Sequence, residues 1–452
     1  MRHGWVIDHV YYSTFVEYKA VLQALGWKLN FLMKLTQLSL SMLILCFAVA
    51  TETTAQAASL SVVADHLDNA RGISFGPDGS IYVAEAGSGG DCPPSATLCA
   101  GNTGALTKIT SNGQQRILSN LPSLAVGPTP NQRFVDGPQE LKFDSSGNPY
   151  FLYAYGTFPG SRDPELNALS GNTIPPDGLS NTSSLGQLYS VDLHTGNLTS
   201  IVDLAKYELI DNPDGTDLIS NPYALEIDGN TAYIADAGAN AVLSVNLDGS
   251  NLQAIPLPRQ TIENPEFPPS QSGEVPPDEF ESASVPTGVT VGADGALYVS
   301  ELTGFPSPEG KARIFRIGAD GKPEVYANDF TQITDLEFDK DGNLIVLQYA
   351  DRSFWKGELA GSLLQIAPDG TRTTLVSAGE GLEGATALTI SPDNEIYVTN
   401  KGDRVDAGQV VKVNRTEPVP EPTSVLGILA FGVLSFGILL KHKRSSKKLI
   451  RT

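Results

Sequence analysis

Six residues in this chain end short apolar runs on a polar group: Glu85, Tyr153, Asp236, Glu301, Gln348 and Asn400. Three are acids, one is a phenol and two are amides. An acid at the end of an oily run is costly unless water, a partner or a ligand receives it. Such oxygens offer three kinds of chemistry. They accept hydrogen bonds from a small molecule or peptide, they ligate a hard cation such as calcium or magnesium, or they cap strands that reach water. Clustered acids also raise one another's pKa, which suits proton transfer. A second set lies slightly upstream of each run. It includes Arg71, Glu140, Tyr223 and Asp335. Glu140 and Asp335 are the natural pair for a metal, and Arg71 and Tyr223 for a ligand.

The elements that must position these residues recur. ARGISFGPDGSIYVAEAG (70–87) is echoed by PQELKFDSSGNPYFLYAYG (138–156), PYALEIDGNTAYIADAG (222–238), PTGVTVGADGALYVSELTG (286–304), ITDLEFDKDGNLIVLQYA (333–350) and ATALTISPDNEIYVTNKG (385–402). Each phrase is two apolar runs joined by an Asp/Asn/Gly turn, which is a hairpin signal. A third run follows each, such as GALTKIT, NAVLSVNL or GQVVKVN, and in most repeats a fourth. Four short strands repeated six times predict an all-β, six-bladed β-propeller. The last repeat lacks a fourth strand. SLSVVADHL (59–67) has no partner of its own, so it is expected to close the ring beside GQVVKVN.

In that architecture the ends of all second strands share one face with the starts of all first strands. The six polar residues should therefore ring the channel mouth, with Glu140 and Asp335 facing each other across it. The long connections, among them GTFPGSRDPELNALSGNTIPPDGLSNTSS, LIDNPDGTDLIS and IENPEFPPSQSGEVPPDEFESAS, emerge on the same face. The column Tyr82, Tyr150, Tyr233, Tyr298 and Tyr397 reads as packing between blades. GPDGS, SPDNE and DKDGN look like calcium-loop fragments, but their place between two strands makes them hairpin turns.

Catalytic motifs are scarce. Only His66 and His194 fall between residues 58 and 416, and there is no GxSxG, HExxH, phosphate loop or EF-hand spacing. Of three cysteines, Cys92 and Cys99 are expected to form a disulfide within a loop, provided the compartment is oxidising.

Both ends of the 452-residue chain read as addresses. Lys34, an apolar run from Leu38 to Ala50, and Ala55-Gln56-Ala57 have the order of a secretory signal cleaved after Ala57, which makes Met33 the expected start. At the other end Thr423 to Leu440 carries no charge, and Lys441, Lys443, Arg444, Lys447 and Lys448 follow. This is a short membrane span with a positive flank. The expected organisation is an extension and signal (1–57), a propeller (58–416) and a sorting or transmembrane tail (417–452). Net charge is −21. Removing the ten basic and five acidic residues of the two ends leaves 20 basic and 46 acidic, net −26. Such acidity argues against nucleic acid and anionic membrane surfaces as partners.

The order Pro420-Glu421-Pro422, apolar segment and basic tail resembles the PEP-CTERM sorting signal. That resemblance implies export, an exosortase as partner, and membrane contact only through residues 423–440. GNTGALTKI, NPDGTDLISNPYAL, ADAGANAVLSV and PTGVTVGADGALYVSELTGFPSPEGKARIFRI resemble the ScyD/ScyE family of secreted, NHL-like propellers over residues 60–414. Named members of that family serve late, periplasmic steps of scytonemin formation in cyanobacteria. The likeness implies a periplasmic, cell-envelope or extracellular propeller whose loop-rich face binds a small molecule, polysaccharide or protein. The alternative it admits is a periplasmic enzyme or accessory factor for a scytonemin-like aromatic pigment, so catalysis stays open. A third resemblance, to gluconolactonase-type hydrolases with channel calcium, breaks down at Ala70-Arg71-Gly72-Ile73, where their metal-binding carboxylate is missing.

Overall fold

The structure is a computed structural model that describes residues 59–93, 95–127, 134–269 and 277–415. The expected signal and sorting tail lie outside the described residues. No helix among the described residues is long and apolar enough to cross a membrane.

The chain folds as a six-bladed β-propeller. Blade one comprises Ala70–Phe75, Ile81–Glu85, Leu98–Thr110 and Gly113–Val126, with Phe134–Asp136 added at its edge. Blade two is Pro138–Phe143, Pro149–Tyr153, Gln187–Val191 and Leu198–Asp203. Blade three is Pro222–Asp228, Thr231–Asp236, Ala241–Asn246 and Gln253–Pro256. Blade four is Pro286–Val291, Leu297–Glu301, Ala312–Ile317 and Pro323–Phe330. Blade five is Ile333–Phe338, Leu344–Gln348, Ser362–Ile366 and Arg372–Val376. Blade six is Ala387–Ile390, Ile396–Asn400, Gly408–Asn414 and, as its outer strand, Ser59–Leu67.

That outer strand closes the ring as the sequence predicts. It pairs antiparallel with the last strand from Ser59 opposite Asn414 to Leu67 opposite Gly408. Asn414 Nδ2 donates to Ser61 Oγ at 2.7 Å. Without it the last blade would present an open edge.

Each blade is apolar on both faces because a neighbour covers each face. One hydrophobic core consequently fills each junction. Leu106, Leu141 and Phe151 sit in the core between blades one and two. Val299 and Phe315 sit in the core between blades three and four. Ile73 and Val410 help seal blade six against blade one. The tyrosine column packs edge-on across several of these junctions. Tyr82 meets Phe143 at 5.2 Å, Tyr298 meets Phe338 at 4.9 Å, and Tyr397 meets Phe75 at 5.4 Å between ring centroids. Such edge contacts add about 0.5–1.5 kcal/mol each beyond burial.

The hairpin turns serve as turns. Asp78 Oδ1 accepts from the Ser80 amide at 3.1 Å, and Asp339 Oδ1 from Asn343 at 2.9 Å. Gly79 and Gly342 supply the positive φ (74° and 79°) that these turns need.

The long connections gain structure that the sequence left as loop. The insertion in blade two carries helix α1 (Pro164–Ser170), capped by Asp163. The link to blade three carries α2 (Leu204–Asp211), capped by Asp203. A hairpin, Gln260–Glu263 with Glu279–Ser282, precedes blade four. In blade one the expected insertion becomes strand from Leu98 onward, with Cys99 opposite Ala125. Cys92 and Cys99 form a disulfide.

Candidate functional site

The residues ending the second strands lie where the repeat places them, but their side chains face their own blades. Glu85 is fully buried and takes the Asp68 amide at 2.7 Å. Arg116 grips it with two bonds, at 3.0 and 2.6 Å. Glu301 is likewise buried and held by Arg313 at 2.6 and 3.0 Å. Asp236 accepts from the amides of Asn221, Gly238 and Ala239 and from Ser220 Oγ. Gln348 accepts the Thr331 amide at 2.8 Å, and Asn400 the Glu383 amide at 2.7 Å. Glu85, Gln348 and Asn400 each reach an amide 17 residues upstream. This is a repeated latch that ties the chain entering a blade to the end of its second strand.

Tyr153 breaks the pattern. It is fully buried, packed at 5.0 Å from Phe151 and 5.6 Å from Tyr189. Its latch moves to Asp136, whose carboxylate takes the Gly156 amide at 2.8 Å. Burial pushes Asp136 up to about 6, against the pull of that amide and of Arg71.

The channel is built from the first strands instead. In each of blades one to five, the pairing of first and second strand slips near the start, for example between Pro138 and Glu140 and between Ile333 and Asp335. A bulge of this kind turns two consecutive residues out of alternation. The first of each pair forms a belt. Arg71 donates to the Val135 carbonyl at 2.9 Å, Gln139 to Tyr223 at 2.9 Å, and Thr287 to Ile333 at 2.6 Å. Thr334 donates to Ala385 at 3.0 Å, and Thr386 to Ala70 at 2.7 Å. Each bond ties a blade to the segment entering the next. Tyr223 holds the sixth position, and its phenol is pushed up to about 12 by burial, with Asp335 and Glu140 adding and Arg71 opposing.

The second residue of each pair includes Glu140 and Asp335. Glu140 accepts the Leu225 amide at 2.6 Å and Asp335 the Leu388 amide at 2.8 Å. Gly72 and Gly288 stand at the equivalent places in the preceding blades. A Cβ on Gly72 would lie 2.7 Å from Glu140 Cγ, and one on Gly288 would lie 3.0 Å from Asp335 Cα. The glycines make room for the two acids.

One tier further in are Lys142, Glu226 and Glu337, which the sequence reading passed over. The alternation two residues beyond Glu140, Ala224 and Asp335 was the signal. Lys142 Nζ is 3.3 Å from Glu140 Oε1. Burial favours its neutral amine, but Glu140, Glu226, Glu337 and Asp335 outweigh that and raise its pKa. Burial raises Glu226 and Glu337 to about 7 each, partly offset by Lys142. Glu140 and Asp335 are raised too, first by burial. Lys142 is thus a built-in counterion for four carboxylates. No group of three or more His, Cys, Asp or Glu side chains is arranged to hold a metal among the described residues. Glu140 and Asp335 are engaged with backbone amides and Lys142.

At the mouth, Arg71 acts electrostatically on two phenols. It lowers the proton affinity of both Tyr223 and Tyr349, each of which burial raises. Asp403 adds negative charge beside Tyr349. Arg71 Nε is buried without an acceptor among the described residues. A separate pocket of ≈ 570 Å³ lies beneath the blade-two insertion, lined by Arg162, Glu165, Asn181, Gln187 and Tyr189 among others. Its Arg162 is bound by Asp163 and Asp203.

No protein-family profile matches the chain, and no curated protein matches it. Solved structures similar to it include a virginiamycin B lyase from Staphylococcus aureus, 14% identical over 76% of this chain and 83% of that one, with a TM-score of 0.41. A gluconolactonase from Xanthomonas campestris is 11% identical over 79% of this chain and 90% of that one, with a TM-score of 0.44. The soluble aldose sugar dehydrogenase of Escherichia coli is 12% identical over 80% of this chain and all (100%) of that one, with a TM-score of 0.46. These likenesses carry no argument about chemistry, and the propeller stands on its own six sheets.

Proposed function

We propose that this chain is an exported binding propeller of the ScyD/ScyE type, which receives a small hydrogen-bonding ligand at the channel mouth. One observation carries the reading. Arg71, whose Nε is buried and without an acceptor among the described residues, acts electrostatically on the phenols of both Tyr223 and Tyr349. These donors suit a ligand rich in hydroxyl or carboxylate oxygens, such as a sugar, a uronate or a phenolic metabolite. Elaborated loops on a rigid frame are a common place for such sites. The latch residues Glu85, Asp236, Glu301, Gln348 and Asn400, and the packed Tyr153, serve by holding that frame.

Calorimetry against a panel of monosaccharides, uronates and aromatic acids tests the reading. A ligand bound by the native chain should lose at least about tenfold in affinity in Arg71→Ala, roughly the value of one charge-assisted hydrogen bond. It should lose less in Tyr223→Phe. Binding that ignores both substitutions would sink it.

The export half of the reading rests on Ala55-Gln56-Ala57, Pro420-Glu421-Pro422 and residues 423–440, and on a disulfide suited to an oxidising compartment. Fractionation of expressing cells, with the mass of the recovered chain, tests it.

A catalytic reading comes second. Glu226 and Glu337, near 7, have the proton affinity that general acid–base work requires. Turnover of a panel compound that disappears in Glu226→Gln or Glu337→Gln would move this reading ahead.

A further inference from the structure

Among the described residues the buried carboxylates have donors, and Glu208 is the exception. It lies on α2 (Leu204–Asp211) and is 1% exposed. Neither of its oxygens has a hydrogen-bond donor among the described residues. Burial, with Asp236 and Asp214 adding, pushes its pKa up to about 8, against the pull of the Ile219 amide, which the Asp217 carbonyl already holds at 2.9 Å. Four residues on, at the end of the same helix, Asn212 Oδ1 is buried and also lacks a donor. Its amide is oriented by Nδ2, which donates to the Thr216 carbonyl at 2.9 Å. The Asn212 backbone amide returns to the Glu208 carbonyl at 3.0 Å, so the two residues are one turn apart.

Two further acids bear on the spot without offering free oxygens. Asp214 and Asp236 both act electrostatically on Glu208. Asp214 accepts from Thr216 and Asn240. Asp236 accepts from Ser220, Asn221, Gly238 and Ala239.

We propose that Glu208 and Asn212 are the side-chain ligands of a calcium-type cation at the junction of α2 with blade three. With Glu208 ionised, three acceptor oxygens lack a donor and a cation satisfies them together, whereas a water has only two hydrogens to give. All the atoms are oxygen, which selects a hard ion over zinc or copper. An irregular set drawn from one helix end suits calcium better than magnesium, which demands near-octahedral order. Asp214 and Asp236 supply negative potential, and the remaining ligands are backbone carbonyls and water. With a single free carboxylate, the site is no cluster of three acids. It is independent of the channel mouth, and it would pin the α2 connection to the Asp236 latch.

The test uses the full chain after chelation, titrated with calcium by calorimetry and by melting temperature. The expected result is about one calcium per chain and a higher melting temperature. Both should vanish in Glu208→Gln, and Asn212→Ala should weaken binding roughly tenfold, as for other lost supports of a metal site. No binding at about 10 mM calcium, above the weakest extracellular sites, overturns the proposal. So does binding that Glu208→Gln leaves unchanged. Gln copies the neutral acid, so this variant should fold. If it fails to fold, a calcium-soaked crystal of the native chain decides. An anomalous peak within about 2.3–2.6 Å of a Glu208 oxygen supports the site, and its absence there overturns it.

Discussion

Glu140 and Asp335 do the same job on opposite sides of the ring. Each stands at the bulge of its first strand and accepts the amide of the next blade's first strand, from Leu225 at 2.6 Å and from Leu388 at 2.8 Å. Each also faces a glycine of the preceding blade. The pair therefore fastens blade two to three and five to six while placing two carboxyl groups in one narrow channel.

The space beside those acids is tight enough to test. In Gly72→Ala the new methyl would meet the Gln139 carbonyl oxygen and Glu140 Cγ, both at 2.7 Å. The backbone oxygen cannot swing away. Overpacking of this kind costs about 1–3 kcal/mol, and urea denaturation should show it. Gly79→Ala has open space around it, so its loss should come from its positive φ alone.

The channel acids make stability depend on pH in an unusual direction. Glu226 and Glu337 are raised from the ordinary 4.5 to about 7. Between those values the folded chain binds more protons than the unfolded one, so stability is full below 4.5, falls as pH rises to 7, and levels above it. Melting temperature measured from pH 4.5 to 8 should decline across that window. Glu226→Gln with Glu337→Gln should flatten the decline and be the more stable protein at pH 8.

The latches answer to the rule for buried ion pairs. Arg313→Ala would leave Glu301 buried without its guanidinium, and such a loss costs roughly 3–5 kcal/mol. Arg313→Met with Glu301→Leu removes both charges and should recover most of that. Chemical denaturation of the two variants distinguishes a structural latch from a ligand-facing acid.

Removing residues 59–67 would strip the outer strand from blade six and expose Gly408–Asn414 as an edge. The truncated chain should melt lower and self-associate, which light scattering will register.

The repeat made the frame legible. Two apolar runs around an Asp-Gly turn fix a hairpin, and the orphan strand 59–67 had one place to go. The latch positions were also legible, because Glu85, Asp236 and Glu301 recur at one register. Their direction was not. In blades one to five a single bulge near the start of the first strand decides which side chains enter the channel, and nothing in PQELKF or ITDLEF announces it. The same bulge hid Lys142, Glu226 and Glu337, which sit one alternation further along. The helices α1 and α2 were hidden for a different reason: each is short, and its Asp cap reads equally well as a turn.

The strand Ser59–Leu67 completes a sheet whose other members are translated more than three hundred residues later. The earliest part of the fold must wait, unpaired, for the latest. A ribosome that stops before Gly408 releases a chain in which Ser59–Leu67 has no partner strand. The last strand to be made is thus the one that lets the first find its place.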